Sequence, residues 1–514
     1  MKTQKNNTRF GAAPPHSHHR DLSGRANCRR ALHRQGSGLQ RQEKRDDDPS
    51  RRAPVHRQRP ARQRPGHRSF PARRAPVRRQ ALRAKRPGRR DRRVLGRRPR
   101  ARGRRRVQGT NVVISSPKGV LALLLSVNIL NYIDRQIVYA LLPLISADLK
   151  LSDAQAGSLA SAFMIVYMLA APPIAWLADS RGRKPWIAGG VGIWSVATGA
   201  AALAGGYFSL FLSRTMVGIG EACYGAISPS FVAERFSPER RGSALAIFSL
   251  AIPVGSALGY AGGGLLGEAI GWRHSFWVVG LPGLLLAALC LLLPNDPPHK
   301  ATPPALAGYR EVWGVPTFRM ITFAGAGMTF ALGGFAVWMP TFFHRNWGLS
   351  VGDAGLRFGA VTVAAGLTGS LLGGWLSDRL RRTDRTADLL ISGWGLLLGM
   401  PLAVAAIAAP SLKVSIVFLF LAETMLFLNM GPLNAAIVSV TPLEKRSMAF
   451  AANIFVIHLL GDAASPTLIG LGSDHFGLSR ALLAACAALG LGGWVCLAAR
   501  KGFGVDADAA ETTA

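Results

Sequence analysis

Asp134, Arg135, Arg214 and Glu221 are ionisable residues set in long runs of Leu, Val, Ile, Ala and Gly. A charge at membrane depth costs about 3 kcal/mol on insertion scales unless it meets a partner or a wet cavity, so such residues are functional candidates. Asp134 and Arg135 are adjacent in Asn131-Tyr132-Ile133-Asp134-Arg135, and neighbours on a helix differ by about 100°, so one faces a central cavity and the other a neighbouring helix. Arg214 and Glu221 are seven apart, which puts them on one helix face. A carboxyl in a partly dry cavity can trade a proton for another ligand. The plainer alternative is an ion pair that only braces the two helices.

Further along, His458 and Asp462 are spaced i, i+4 and share a face, as a second titrating pair or a hydrogen-bonded brace. Glu423 sits in another apolar run, with a role in a cavity or in packing. Trp338, Phe342 and Phe343 could line an acyl-chain pocket or face lipid at an interface. Nothing suggests covalent chemistry. Cys223, Cys290, Cys486 and Cys496 lie in apolar runs, and their spacing fits neither a zinc site nor a disulfide framework. There is no phosphate-binding Gly-Lys-Ser/Thr loop, and Gly218-Ile-Gly220 falls inside an apolar helix, which excludes a dinucleotide fold. No enzyme activity, cofactor or metal is expected.

These residues need a frame that spans a bilayer, and a bilayer core takes about 20 apolar residues per helix. Such runs recur at 119–142, 154–178, 185–204, 207–231, 241–268 and 274–294, then at 318–343, 352–377, 387–409, 413–438, 446–471 and 479–499. The expected fold is an all-α polytopic membrane protein of twelve transmembrane helices. Residues 111–294 form one six-helix half and 317–500 the other, joined by a Pro-rich cytoplasmic linker at 295–316 and followed by a cytoplasmic tail at 501–514. Lys and Arg crowd the even-to-odd loops, among them Arg235, Arg240, Arg241, Arg385 and Lys445, which places both termini in the cytoplasm. A multi-pass protein of the cell inner membrane is expected, as a monomer surrounded by lipid.

The net charge of +35 belongs mostly to another part of the chain. Residues 1–110 hold 36 of the 62 Lys and Arg against six acids, so that stretch carries +30 and the remainder +5. It is Arg, Pro, Gly, Gln and His with few apolar residues, a composition that stays disordered. Three readings compete: a tether for nucleic acid or anionic lipid, a solvated extension, or a translated stretch upstream of the true start. The third is favoured, so no nucleic-acid partner is expected, although no Met lies between Met1 and Met164. A membrane-anchored nucleic-acid-binding protein is the rival from another class.

Two segments repeat at equivalent places in the halves: Ala175-Trp-Leu-Ala-Asp179-Ser-Arg181-Gly182-Arg183-Lys184 and Gly374-Trp-Leu-Ser-Asp378-Arg379-Leu-Arg-Arg382. The first resembles the signature Gly-x-Leu-Ala-Asp-Arg-x-Gly-Arg-Lys of the major facilitator superfamily, whose two six-helix halves rock about a midplane site. Asp179, Gly182, Arg183 and Lys184 match it, while Ala175 and Ser180 depart from it, and the second copy restores those positions as Gly374 and Arg379. In that family the motif is a charged latch, which makes Asp179, Gly182, Arg183, Lys184, Asp378 and Arg379 gating candidates. Arg214-x-x-x-Gly218-x-Gly220 resembles a second superfamily pattern. With Asn131 to Arg135, Ile252-Pro-Val-Gly-Ser256 and His458-Leu-Leu-Gly-Asp-Ala463, the chain resembles the Spinster family of lysolipid and sphingolipid carriers over most of 119–500.

That resemblance implies proton coupling through Asp134 and Glu221. It also implies an anionic headgroup held by Arg135 and Arg214, with Tyr132 and Asn131 as neighbouring binding candidates. His458, Asp462 and Glu423 are candidates for a second-half site. The expected function is secondary active transport by alternating access, proton-coupled, of an amphipathic or anionic lipid-like solute. A small organic-anion:proton symporter of the same superfamily is the nearer rival.

Overall fold

The computed structural model describes residues 114–296 and 306–512. The basic tail and the Pro-Pro core of the expected linker lie outside the described residues. The first half is α1 (Pro117–Leu149), α2 (Asp153–Arg181), α3 (Lys184–Ala201), α4 (Tyr207–Gly225), α5 (Ser228–Ala233), α6 (Pro238–Ser249) and α7 (Ala251–Cys290). α8 (Leu306–Gly314) precedes the second half, which is α9 (Pro316–Trp347), α10 (Val351–Leu380), α11 (Ala387–Ile407), α12 (Leu412–Phe427), α13 (Met430–Ser439), α14 (Arg446–Leu460), α15 (Ser465–Phe476), α16 (Leu478–Ala485) and α17 (Ala487–Thr512). Among the described residues there is no strand.

Local signals set the starts of several helices. Ser152 and Gln155 form a capping box at α2, and Ser116 and Ser350 accept the N3 amide at α1 and α10. Nine described helical stretches are long and apolar enough to cross a membrane. One of them, Pro238–Cys290, holds two of the expected spans. The chain reverses inside α7 at Gly271, where φ is +79°, a conformation that favours glycine. The linker region contains α8, and α17 continues through the segment expected as a tail. Outward faces are apolar: Leu203, Phe208, Leu371 and Trp494 are each at least 65% exposed, a surface suited to lipid.

The base-rich loops lie on one face, called here the basic face, and the α1–α2 and α9–α10 turns on the opposite, far face. On the far face the halves share one apolar core, where Ile137 to Ile145 and Ala156 to Ala160 pack with the second half. Toward the basic face the first half has its own core around Phe163, Trp194 and Tyr224. Far-face closure rests on α2 against α15 and α7 against α10. A Cβ on Gly157 would fall 2.1 Å from the Pro466 carbonyl oxygen, so α2 and α15 touch backbone to backbone.

Polar groups finish that seal. Arg345 of α9 donates to both oxygens of Asp153 at 2.7 and 2.8 Å. The Asp474 carboxylate of α15 accepts from the Asp153 and Ala154 amides at 2.8 and 2.9 Å. Glu268 of α7 accepts from the Gly352 amide at 2.8 Å. An acid from each half thus caps a helix N-terminus of the other, where the helix dipole favours negative charge.

Candidate transport site

The four membrane-depth charges meet between α1 and α4. A Cβ on Gly218 would lie 2.7 Å from the Phe163 carbonyl oxygen and one on Gly220 2.6 Å from the Trp194 amide, so glycine seats α4 against α2 and α3 and brings its charges to α1. The pairing is crosswise. Arg135 of α1 donates through Nε to Glu221 Oε2 of α4 at 2.6 Å. Arg214 of α4 lies with one guanidinium nitrogen 3.6 Å from Asp134 Oδ2 of α1. Thr198 of α3 donates to Asp134 Oδ1 at 2.7 Å.

The two pairs have different surroundings. Asp134, Arg214 and Glu221 are fully buried, whereas the Arg135 side chain keeps 16% of its surface exposed. Arg135 sits 5.0 to 5.3 Å from the ring centres of Tyr132, Phe163 and Tyr167, within cation–π range. Several polar atoms here have no hydrogen-bond partner among the described residues: Asp134 Oδ2, Glu221 Oε1, Asn131 Nδ2, and Arg214 Nε with one terminal nitrogen. Bonding capacity therefore exceeds what the pairs consume.

Of the four charges only Arg135 lines the adjoining cavity, which has a volume of about 860 Å³. Asn128, Asn131, Tyr132 and Tyr167 share its polar wall, and Ala451, Ile454, Phe455 and His458 of α14 form the other side. His458 Nδ1 is bonded to both oxygens of Asp462 at 2.8 and 3.0 Å. Glu423 is buried away from the cavity. Trp338, Phe342 and Phe343 neither line it nor face lipid; they are buried in α9, and the Trp338 indole donates to the Pro466 carbonyl at 3.0 Å, bracing α9 on α15.

On the basic face, Arg183 bonds Asp179 at 2.8 Å and Glu234 at 2.7 Å, and Asp296 joins through Arg235. Gly182 makes the turn with φ +95°. Lys184 opens α3 without an ion pair among the described residues. In the second copy Asp378 and Arg379 are exposed and form no ion pair among the described residues. The pair there is Arg381 with Asp388, at 2.8 Å, and Ser377 also donates to Asp388. Sequence reasoning passed over Asp153, Arg345, Asp474, Glu268 and Asp388. The only sequence signal was acids clustered at span ends, where charges are also ordinary anchors.

A sequence model of the Major Facilitator Superfamily matches residues 124–466, and the chain belongs to that superfamily of membrane transporters. Among solved structures, a bacterial homolog of the human lysosomal transporter Spinster, in an inward-facing and unoccupied conformation, superposes with a TM-score of 0.69 at 24% identity, covering 76% of this chain and 98% of that one. Within the superfamily the chain is a member of the Spinster family. It is 33% identical over 385 residues to protein spinster homolog 1 of Homo sapiens, covering 69% of this chain and 73% of that protein. It is 32% identical over 374 residues to the sphingosine-1-phosphate transporter SPNS2 of Danio rerio, covering 68% and 74%. The protein is therefore an all-α, multi-pass membrane transporter.

Proposed function

We propose that this transporter moves an amphipathic organic anion together with protons, by alternating access. The observation that carries the reading is the two-sided cavity. The first-half wall offers Arg135, Asn131, Tyr132 and Tyr167 among apolar residues such as Met164, Phe248 and Ile252, and the other side Ala451, Ile454 and Phe455 with His458. A headgroup with negative charge suits the patch around Arg135 and an acyl chain the apolar remainder. The family relative named for sphingosine-1-phosphate supports the same solute class.

Coupling follows from the shared arginine. Arg135 is held by Glu221 at 2.6 Å. An anionic headgroup that takes Arg135 deprives the buried Glu221 of its counter-charge, and Glu221 then takes a proton, because a buried unpaired carboxylate is the costliest arrangement available. Proton and solute therefore load together. Asp134, already bonded by Thr198 and facing Arg214, is the second proton site and the more sheltered one. His458 with Asp462 is the second half's polar contribution to the cavity.

With the even-to-odd loops cytoplasmic, the cavity serves the cytoplasmic side of the inner membrane and the far-face seal is periplasmic. The Asp179–Arg183–Glu234 cluster is the basic-face latch, lying in this conformation wholly within the first half. The carrier acts as a monomer of two six-helix halves.

The test is uptake of radiolabelled lysophosphatidate into proteoliposomes under an imposed pH gradient. Wild-type uptake should follow the gradient, and Glu221→Gln should weaken that dependence by the one proton it carries while solute-driven exchange persists. Unchanged pH-gradient dependence in the variant sinks the coupling scheme. Stimulation by small carboxylates with no response to lysophosphatidate favours the organic-anion reading.

A further inference from the structure

The two halves of the fold place an acid at the same point of their fourth span. Glu221 lies five residues ahead of Ala226, which ends α4, and Glu423 five residues ahead of Leu428, which ends α12. Their surroundings differ in one respect that decides their chemistry. Glu221 has Arg135 as partner. Arg135 stands seventeen residues before the N-cap Ser152, and the residue seventeen before the matching N-cap Ser350 is Gly333. The second half has no side chain where the first half has its cation.

Glu423 is wholly buried, and neither carboxyl oxygen has a hydrogen-bond partner among the described residues. Beside it stands Thr362 of α10, whose hydroxyl is also buried without a hydrogen-bond partner among the described residues. Tyr260 of α7 is the other titratable group facing it, and its hydroxyl is committed to the Ala336 carbonyl at 2.8 Å. The ionisable residues of the helices packed against α12, such as Arg345, Arg357 and Asp388, lie in the outer turns of α9, α10 and α11, and none pairs with Glu423. A carboxylate with no cation and a single hydroxyl beside it is costly in an apolar interior, whereas a carboxylic acid needs only one acceptor for its O–H, and the neighbouring Thr362 hydroxyl is the polar group in position to be that acceptor.

We propose that Glu423 is a second-half proton-binding site, loaded in this conformation and separate from the Arg135–Glu221 pair. Where the first half balances its acid with an arginine that a solute can take, the second half balances its acid with a proton. That proton is sealed here and leaves when α12 meets water in the alternative conformation. The proposal rests on the proton-coupled reading above and adds one proton to its stoichiometry.

Infrared spectroscopy of the purified protein tests occupancy without any solute. The wild type should show the carbonyl stretch of a neutral carboxylic acid that Glu423→Gln removes and Thr362→Val shifts, the latter carrying the test if the Gln variant is poorly folded. In proteoliposomes, with lysophosphatidate as the probe, the ratio of protons to solute should fall by one in Glu423→Gln. A spectrum unaffected by either substitution overturns the proposal. So does a lost band with an unchanged ratio, which makes Glu423 a permanently neutral structural acid. Failure of the coupling reading is distinguishable, since Glu221→Gln would then keep the full wild-type ratio of protons to solute while Glu423→Gln still lowered it by one.

Discussion

Arg345→Ala should open the far face. Arg345 is bonded to Asp153 by two parallel hydrogen bonds of 2.7 and 2.8 Å, and this is the ion pair on that face that joins α9 of the second half to α2 of the first. Two unit charges about 4 Å apart attract by roughly 4 kcal/mol at an effective dielectric of 20. The Arg345 side chain is 41% exposed and Asp153 11%, so solvent screens much of that, and exposed pairs retain about 0.2–1 kcal/mol. Bidentate geometry and the buried acid raise the estimate to about 1.5 kcal/mol. Asp153 keeps its bond from Ser473 when Arg345 is removed, so no orphaned charge inflates the loss. The pair exists only while the far face is closed. Its removal should therefore shift the closed-to-open ratio about tenfold, since 1.4 kcal/mol corresponds to a factor of ten. Spin labels at Lys150 and Phe476, on the two sides of that seam, would report the shift as growth of the long-distance population in double electron–electron resonance. A ratio within twofold of wild type would refute the assignment of this pair as a closing contact.

Two further substitutions test the cavity. Arg135→Lys keeps the charge but loses the flat guanidinium that lies near three rings and can hold a headgroup through two nitrogens; the apparent KM for lysophosphatidate should rise about tenfold with little change in maximal rate, measured as proteoliposome uptake. Ile454→Asp puts a carboxylate on the apolar wall, where Ile454 is half exposed to the cavity and its surroundings. Long-chain lysolipid uptake should fall about tenfold, the equivalent of about 1.5 kcal/mol of apolar burial, and equal uptake of short and long chains by wild type and variant would remove that wall from the site.

The spans were legible because hydropathy over about 20 residues reports the bilayer directly, and runs such as 119–142 and 352–377 coincide with α1 and α10. Helical spacing also showed that Arg214 and Glu221 share a face. It did not show which α1 charge each would meet, because periodicity fixes the direction of a side chain around its own axis and not the position of the neighbouring helix. The crosswise pairing of Arg135 with Glu221 and Arg214 with Asp134 depends on how α4 sits beside α1, a placement to which the close approach of Gly218 and Gly220 to α2 and α3 contributes. Arg345 and Asp153 were invisible for a related reason, as partners 192 residues apart leave no local pattern. In the second motif copy the conspicuous Asp378 and Arg379 point outward, and the pair is formed by Arg381 with Asp388, across the α10–α11 turn.

The repeat accounts for the far face and not for the cavity. Asp474 of α15 caps α2, and Glu268 of α7 caps α10, each pairing the fifth span of one arrangement with the second span of the other. These contacts take their donors from backbone amides and a helix dipole, which any helix start presents, so each half has only to supply one carboxylate near the end of its fifth span. The cavity depends instead on particular side chains, and there the halves differ: the first brings Arg135, backed by Glu221, with Asn131 and Tyr132, while the second offers Ala451, Ile454 and Phe455 beside the His458–Asp462 pair. Two symmetric halves can close on each other at a symmetric seam and still present unlike walls to what they enclose. A solute with one charged and one apolar end is the kind of molecule for which such unlike walls are an advantage.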